Sequence, residues 1–491
     1  MARLNDARYE AALRVAMRLR ELGHAAYFAG GCVRDMLLGV APHDFDVATD
    51  ATPERVMAVF PRTEAVGAHF GVVLVIDKVE AVLPPGLKPH SSAEMDVRAE
   101  ARTLQSARIE VQTERIATEV ATFRHDGAYS DGRRPDAVRF SGDPREDVLR
   151  RDFSINGLLL DVIAYEACDR LDDCVLDYVG GRSDLEAKLV RAIGEPKLRF
   201  AEDKLRMLRA VRFGARLGFE IELRTLHAIQ AQAAEICVVS AERVRDELTK
   251  ILTEGHARRG FELLDQCGLL QQILPEIVKM KGVEQPPQYH PEGDVWVHTM
   301  MLLEHLPAGA SPTLAWGMLL HDVGKPATFT APDPAKRGDR IRFNGHVEVG
   351  VAVARAILNR LRFSNEETEQ ILALVQHHMQ FGDVMKMKQS TLKRFLRLPK
   401  FDEHLALHRA DVLSSNKNLE LYEFAKSKLD ELGEEEIRPK LLLTGGDLIA
   451  AGYRPGPGFR EMLTLAEDAQ LEGAVTTAEE ALALVRARFP A

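Results

Sequence analysis

Apolar positions recur every three to four residues from 7 to 22, "ARYEAALRVAMRLREL", which predicts an amphipathic helix. The next apolar run, "AAYFAGG", is short and ends on two glycines, as a strand entering a turn does. "CVRDMLLG" then reads as a short helix closed by Gly39. "DFDVAT" alternates and predicts a strand, and "TPERVMAVF" predicts a helix opened by Thr52 with Pro53 in its first position. "GVVLVID" and "RIATEVATF" are further strands, rich in β-branched residues. Between them, residues 79–108 lose all period around Pro-Pro-Gly and small polar residues, and read as a surface insertion.

From about residue 183 the strand signal disappears. "EDKLRMLRAVRFGARLGF", "RTLHAIQAQAAEI" and "AERVRDELTKILTEG" are successive amphipathic helices. "EQPPQYHPEGD" marks a linker near 284–294, helices carrying most of the histidines follow to about 430, and a small helical segment closes the chain. Neither an internal repeat nor a low-complexity tail is present.

At 491 residues the chain exceeds one core, since a domain takes roughly 100–200 residues. The apolar share of 46% and charged share of 28% are those of a globular protein. A net charge of −10 argues against a generally cationic nucleic-acid coat, but leaves local basic faces open. Cys32, Cys168, Cys174, Cys237 and Cys267 are odd in number and have neither zinc-ribbon nor CxxC spacing, so they read as reduced core thiols. The N-terminal helix carries acidic residues, unlike a signal or transit peptide, and no apolar stretch reaches the roughly 18 residues of a membrane span. The expected compartment is the cytoplasm, with no membrane partner.

Asp44 and Asp46 stand at i and i+2 of the expected strand, so both carboxylates share one face and Phe45 takes the other. Two anions that close repel unless a cation lies between them, and Mg²⁺ takes oxygen ligands of this kind. Alone, the doublet also reads as a solvated strand face. Around it, Gly30 and Gly31 join a strand to a helix, where backbone N–H groups approach a phosphate. Glu119 offers a third carboxylate on another strand, and "RRDFSING" supplies Arg150, Arg151, Asp152 and Asn156, whose guanidiniums suit triphosphate oxygens. Carboxylates, a glycine turn and arginine forks are the parts of a two-metal phosphoryl-transfer site.

"GGCVRD", "DFDVATDATPERV", "EVATFR…DGAYSDGRRPDAVRF", "RRDFSINGLLLD", "LDYVGGRSDL", "RFAEDKLRMLRAVRF" and "AERVRDEL" resemble, in order, the motifs of bacterial class II tRNA nucleotidyltransferases, the CCA-adding relatives of poly(A) polymerases. The resemblance covers about residues 20–270. It implies an α+β head of DNA polymerase beta-like nucleotidyltransferase fold, then all-α neck, body and tail. It implies that Asp44 and Asp46 bind catalytic Mg²⁺ and activate the RNA 3′-hydroxyl, with Glu119 the third acidic residue. Gly30, Gly31 and Arg34 would hold the triphosphate; Arg151, Asp152 and Asn156 the nucleotide's phosphates and sugar. Asp203 and Arg206 would read the Watson–Crick edge of incoming CTP or ATP, sharing a helix face at i and i+3, a spacing that equally serves a salt bridge. Arg243, with Glu247 at i+4, would brace them. The segment 124–140, with Gly127, Gly132 and Pro135, matches a flexible loop that accompanies addition of the terminal A. Residues 79–108 are longer than the family's connection there.

In the second half, His298, His321–Asp322, His346, His377–His378 and Asp411 follow one another on separate helical segments. Imidazole and carboxylate together suit divalent transition metals that activate water for phosphoester hydrolysis. Over about 290–415 this pattern resembles the HD phosphohydrolase superfamily. That implies a first metal site of His298, His321, Asp322 and Asp411, with His346 and His378 for a second metal or the scissile phosphate and Lys325 on phosphate. His378 is preferred to His377 for its spacing to Val375.

The expected plan is a head at 1–165 with its insertion at about 79–108, a neck and body at 166–283, an HD domain at 284–430 and a tail at 431–491. The expected activity is addition or repair of the tRNA 3′-terminal CCA from CTP and ATP, with HD phosphohydrolase activity beside it. The alternatives are a poly(A) polymerase, an A-only or CC-only enzyme, and an HD hydrolase whose head merely binds RNA.

Overall fold

The computed structural model describes residues 6–82, 111–127, 137–288, 290–291 and 293–490. Most of the expected insertion, and Gly132 and Pro135 of the expected loop, lie outside the described residues. The chain divides into two compact units: residues 1–210 with 219–232, and residues 211–218 with 233–491. This division is coarser than the four-part plan.

The first unit is built on strands β1 (Ala26–Ala29), β2 (Val47–Thr49), β3 (Thr63–Gly67), β4 (Val72–Val82), β5 (Val111–Thr122), β6 (Arg124–Asp126), β7 (Val138–Phe140), β8 (Leu158–Leu160) and β9 (Val175–Asp177). Seven of them form one sheet in the order β3-β4-β5-β2-β1-β8-β9, while β6 and β7 pair separately. Every neighbour in that sheet is antiparallel except β2 and β5, which run parallel with Val47 opposite Val120. The sheet runs on to Asp177, past residue 165.

Two strand expectations change. Asp44 and Asp46 precede β2 rather than lying on it, although burial still alternates there, Phe45 being buried between an exposed Asp44 and a half-buried Asp46. β4 reaches Val82, four residues into the expected insertion, because "KVEA" still alternates polar and apolar residues and the strand pairs in register with β5 as far as Val82 opposite Val111. Phe45 is buried against Tyr9 of helix Ala7–Glu21 and Phe28 of β1, with ring centroids 5.4 and 5.6 Å away. Burying that one ring turns both neighbouring carboxylates to the other side.

The second unit is helical. Helix Pro312–Leu320 is buried from Thr313 onward, and a Cβ on Gly317 would meet Leu374 at 2.5 Å, so helix Asn365–His377 packs directly on its backbone. Beneath its first turn, the buried Glu403 carboxylate accepts from Ser311 Oγ and Thr313 Oγ1, both at 2.7 Å, and from Gln370 Nε2 at 3.0 Å. Among the described residues, no helix is long and apolar enough to cross a membrane.

Candidate functional site

In the first unit the acidic residues gather where β2 and β5 run parallel. Asp46 precedes Val47 and Glu119 precedes Val120, so the register sets the two residues side by side. The Asp46 carbonyl accepts from Ala29 N at 3.0 Å, which ties this edge to β1 and the glycines after it. Burial, then repulsion from Glu119 and Asp44, pushes the Asp46 carboxyl up to about 7, with Arg151 acting against them. Desolvation raises Glu119 too, opposed by Arg151 and reinforced by Asp44. Asp46 and Glu119, both raised, with Asp44 beside them and one guanidinium in range, concentrate negative charge at this edge. That is what a divalent cation relieves.

Gly30 has φ 76° and ψ −125°, and a Cβ there would lie 2.8 Å from Arg151 Nη1. Only glycine admits both the conformation and the guanidinium. Arg151 is aimed by Asp147, a fully buried residue that the sequence reading missed. One Asp147 oxygen takes Arg150 Nε at 2.9 Å, and the other takes Arg151 Nη2 at 3.0 Å. Burial alone would raise the Asp147 carboxyl, yet the two guanidiniums hold it below its usual range. Its signal was present: Asp147 stands three and four residues before the arginines at the end of helix Pro144–Leu149.

Asp152 is buried and stays ionised. Burial pushes its carboxyl up, but Arg209, Asn156 Nδ2 at 3.1 Å and Phe153 N at 2.8 Å bring it down to about 2. Arg209, three residues beyond Arg206, was also missed; its Nε is 2.8 Å from Asp152 Oδ2. Arg34 is buried, with Nε 2.7 Å from Asp35 Oδ1 and Nη1 2.7 Å from Asn156 Oδ1. Gly31 opens helix Gly31–Leu37.

Asp203 and Arg206 do not share a helix, contrary to expectation. Helix Pro196–Glu202 ends at Asp203, and the next, Leu205–Leu217, begins after it. Asp203 Oδ1 accepts from Leu205 N at 3.1 Å, so the carboxylate caps the second helix and breaks the run. Arg206 Nη1 goes to Glu202 at 2.5 Å and to the Arg199 carbonyl at 3.1 Å. Arg243 lies in the second unit on helix Ala241–Thr253; on the same helix, Glu247 accepts from Arg212 Nε at 2.8 Å, both side chains being buried.

The second unit brings all six expected HD residues together. Two groups, His298–His321–Asp411 and Asp322–His346–His378, each have ligand atoms within 4.8 Å of one another, and among the described residues these are the only such groups of three. The head carboxylates stand further apart than that. Helix Val295–Glu304 carries His298 and helix Phe401–Leu413 carries Asp411, with His298 Nε2 3.1 Å from Asp411 Oδ1. His321 and Asp322 follow helix Pro312–Leu320; His346 opens helix His346–Arg360. A Cβ on Gly324 would sit 2.1 Å from the His346 carbonyl and 2.6 Å from Gly350 N, so the missing side chain lets that helix approach Asp322.

The Nδ1 atoms of His321, His346 and His378 lie 2.9, 2.9 and 2.6 Å from the carbonyls of Met318, Phe343 and Val375. A carbonyl only accepts, so each Nδ1 carries the hydrogen and each Nε2 presents a lone pair to the centre. Asp322 stands between the groups. Its Oδ2 is 3.2 Å from His321 Nε2 and 2.6 Å from Lys325 Nζ, and its Oδ1 is 3.8 Å from His378 Nε2 and 3.9 Å from His346 Nε2. Burial opposes ionisation of Asp322, but Lys325 and His321 hold it well below the usual carboxylate range. Burial lowers His378 to about 4, which keeps its imidazole neutral. Asp322 Oδ1 and His321 Nε2 are buried without a hydrogen-bond partner, the mark of donors arranged for a cation. His378 rather than His377 faces Asp322; His377 lies beside His404, ring centroids 6.0 Å apart. Gln285, whose Oε1 takes Lys325 Nζ at 2.6 Å, and His290, with its ring 4.9 Å from that of His298, are additions from the linker that no sequence pattern marked.

Three family models match the chain: "Poly A polymerase head domain" over residues 26–103 and 92–191, "Probable RNA and SrmB- binding site of polymerase A" over 218–280, and "HD domain" over 294–416. A CCA-adding enzyme of Geobacillus thermodenitrificans is 36% identical over 261 residues, 53% of this chain and 54% of that protein, so the chain spans about half the length of such relatives. A CCA-adding enzyme of Pediococcus pentosaceus is 30% identical over 383 residues, 75% of this chain and 85% of that protein. The crystal structure of a Bacillus stearothermophilus CCA-adding enzyme in complex with CTP superposes with a TM-score of 0.67 at 24% identity, covering 98% of each chain.

Proposed function

The chain belongs to the family of CCA-adding enzymes, and from that premise we propose that it adds or repairs the 3′-terminal CCA of tRNA from CTP and ATP without a nucleic-acid template. The observation that supports this best is the pairing of β2 with β5, which sets Asp46 beside Glu119 with Asp44 and Arg151 in electrostatic range. Asp44, Asp46 and Glu119 would hold Mg²⁺, which when bound supplies positive charge to the triphosphate and to the attacking 3′-oxygen.

The remaining work falls to the chain itself. Gly30 and Gly31 admit the Arg151 and Arg34 guanidiniums beside the backbone, and Arg151, fixed by Asp147, offers phosphate a guanidinium that need not reorganise. Arg34 and Asn156 bond each other, and Asn156 also donates to Asp152, so ribose and phosphate contacts are positioned together. Asp203, between the two helices, and Arg206, in the first turn of the second, would supply an acceptor and a donor for one base edge. We assign the reaction to the cytoplasm, where tRNA and nucleoside triphosphates meet.

For residues 294–416 we propose a metal-dependent phosphohydrolase, supported by the two adjacent groups, Asp322 of the second lying 3.2 Å from His321 of the first. His298, His321, Asp322, His346, His378 and Asp411 would hold divalent transition metals, which when bound supply a Lewis acid for phosphoester cleavage. Lys325, clamped between Asp322 and Gln285, is placed to neutralise phosphate charge.

One experiment tests both readings. The protein is given tRNA lacking CCA with CTP alone, ATP alone and both, and in parallel a chromogenic phosphodiester with a panel of divalent metals. Growth that stops after three nucleotides with both substrates supports the reading. Unlimited A-tails reassign the chain to the poly(A) side of the family, and arrest after CC or after a single A identifies a specialised enzyme. Asp44→Ala should abolish addition and spare hydrolysis, and Asp322→Ala the reverse.

A further inference from the structure

Cys168 and Cys174 were expected to be reduced core thiols, their spacing too long for a CxxC motif. The structure brings them into contact. Cys168 ends helix Val162–Cys168; Asp169 then turns the chain in the left-handed conformation, φ 54°; and the four-residue helix Leu171–Cys174 returns it, leaving the sulfurs 3.2 Å apart. Both are thiols. The pair is asymmetric. Cys168 is exposed, and Arg170 N donates to its sulfur at 3.4 Å. Cys174 is buried at 7% exposure, its carbonyl accepting from Asp161 N at 3.0 Å where β9 begins. Burial, then the Cys168 thiol, raises Cys174 to about 11, so it is not the first to react.

We propose that Cys168 and Cys174 are a reversible dithiol–disulfide pair, with Cys168 the entry thiol and Cys174 the resolving thiol, oxidised by exchange with a low-molecular-weight disulfide such as oxidised glutathione. The Cys168 thiolate attacks one sulfur of the oxidant, forming a mixed disulfide and expelling one thiolate. Cys174 then attacks Cys168 Sγ, the S–S bond between them forms, and the second thiolate leaves. The protons of the two cysteines pass to the two released thiolates, so two protein thiols lose two electrons and the oxidant becomes two thiols. The sulfurs need to close by only ~1 Å. The ring so closed spans few residues and removes little chain entropy from the unfolded state, which makes the bond easily reduced rather than a permanent staple. Cys237 supplies the contrast: it is exposed, but its sulfur lies 4.0 Å from the Gln272 carbonyl rather than beside a thiol.

Trypsin provides a clean readout because Arg170 lies between the two cysteines. Cleavage places Cys168 on the peptide 152–170 and Cys174 on 171–182, so only a disulfide can hold the two together. The native full-length protein is treated with oxidised glutathione, quenched in acid, alkylated and digested. The expected result is the cross-linked pair, separated by dithiothreitol, with glutathione retained on Cys237. Cys174→Ser should trap glutathione on Cys168, and Cys168→Ser should leave Cys174 unmodified. Wild-type protein that carries glutathione on Cys168 without the cross-link, or in which both thiols are still alkylated after treatment, overturns the proposal.

Discussion

Replacing Gly30 by alanine tests how the turn and the arginine are built together. At φ 76° and ψ −125° the backbone sits where a residue with a Cβ is strained by about 1–3 kcal/mol. The added methyl would also stand 2.8 Å from Arg151 Nη1, too close for either to keep its place. Arg151 would have to withdraw, loosening its 3.3 Å bond to the Asn156 carbonyl and its aim from Asp147. For a unit of this size, 1 kcal/mol moves the melting temperature by roughly 2–4 °C, so a fall of about 2–12 °C is expected. A displacement of about 1 Å at a positioning group costs on the order of 100-fold in rate, so activity should fall much further than folding does. The assay is incorporation of labelled CTP into tRNA lacking CCA, read as kcat and KM, beside a thermal melt monitored by circular dichroism. A variant with wild-type kcat would refute the claim that the turn and Arg151 share one fixed geometry, whatever its melting temperature.

Two further outcomes follow from the same kind of reading. The Asp152 carboxyl is depressed from an ordinary 3.8 to about 2, so its stabilising share is complete at neutral pH and lost as pH falls between those values. Asp152→Asn should therefore flatten the acid limb of a stability–pH curve in that window; an unchanged limb would show that Arg209 does not stabilise the charge. Gly324→Ala forces apart the turn after Asp322 and the helix that begins at His346, so phosphodiester hydrolysis should fall at least about tenfold while nucleotide addition continues. Equal loss of both activities would contradict a purely local effect.

The long elements and the chemistry-bearing residues were legible because each leaves a local trace. Helix Ala7–Glu21, the Thr52–Pro53 helix start and the alternation of "RIATEVATF" were all visible, as were the six HD residues. The three-residue strands Leu158–Leu160 and Val175–Asp177 were not: the first is buried on both faces and shows no alternation, and both exist only through pairing with distant chain. The break at Asp203 escaped because helical periodicity continues across it, and only its side chain, capping Leu205, marks the end. Gln285 and the Cys168–Cys174 contact depend on turns that bring residues together without any repeated spacing. Asp147 was the avoidable omission, since its spacing to Arg150 and Arg151 is the one that pairs charges on a helix.

The β4–β5 arm has a consequence for what the head tolerates. Its register runs unbroken from Val72 opposite Ala121 to Val82 opposite Val111, and Glu119 lies near the first end. At about 3.4 Å per residue, the eight steps from Glu119 to Val111 separate the carboxylate from the far end of the arm by roughly 27 Å. The arm's far end, at Val82 and Val111, is thus remote from the acidic edge. A foreign domain or tag introduced between Val82 and Val111 should therefore leave nucleotide addition intact, so the far end of the arm is where the head can be tethered or elaborated without redesigning its catalysis.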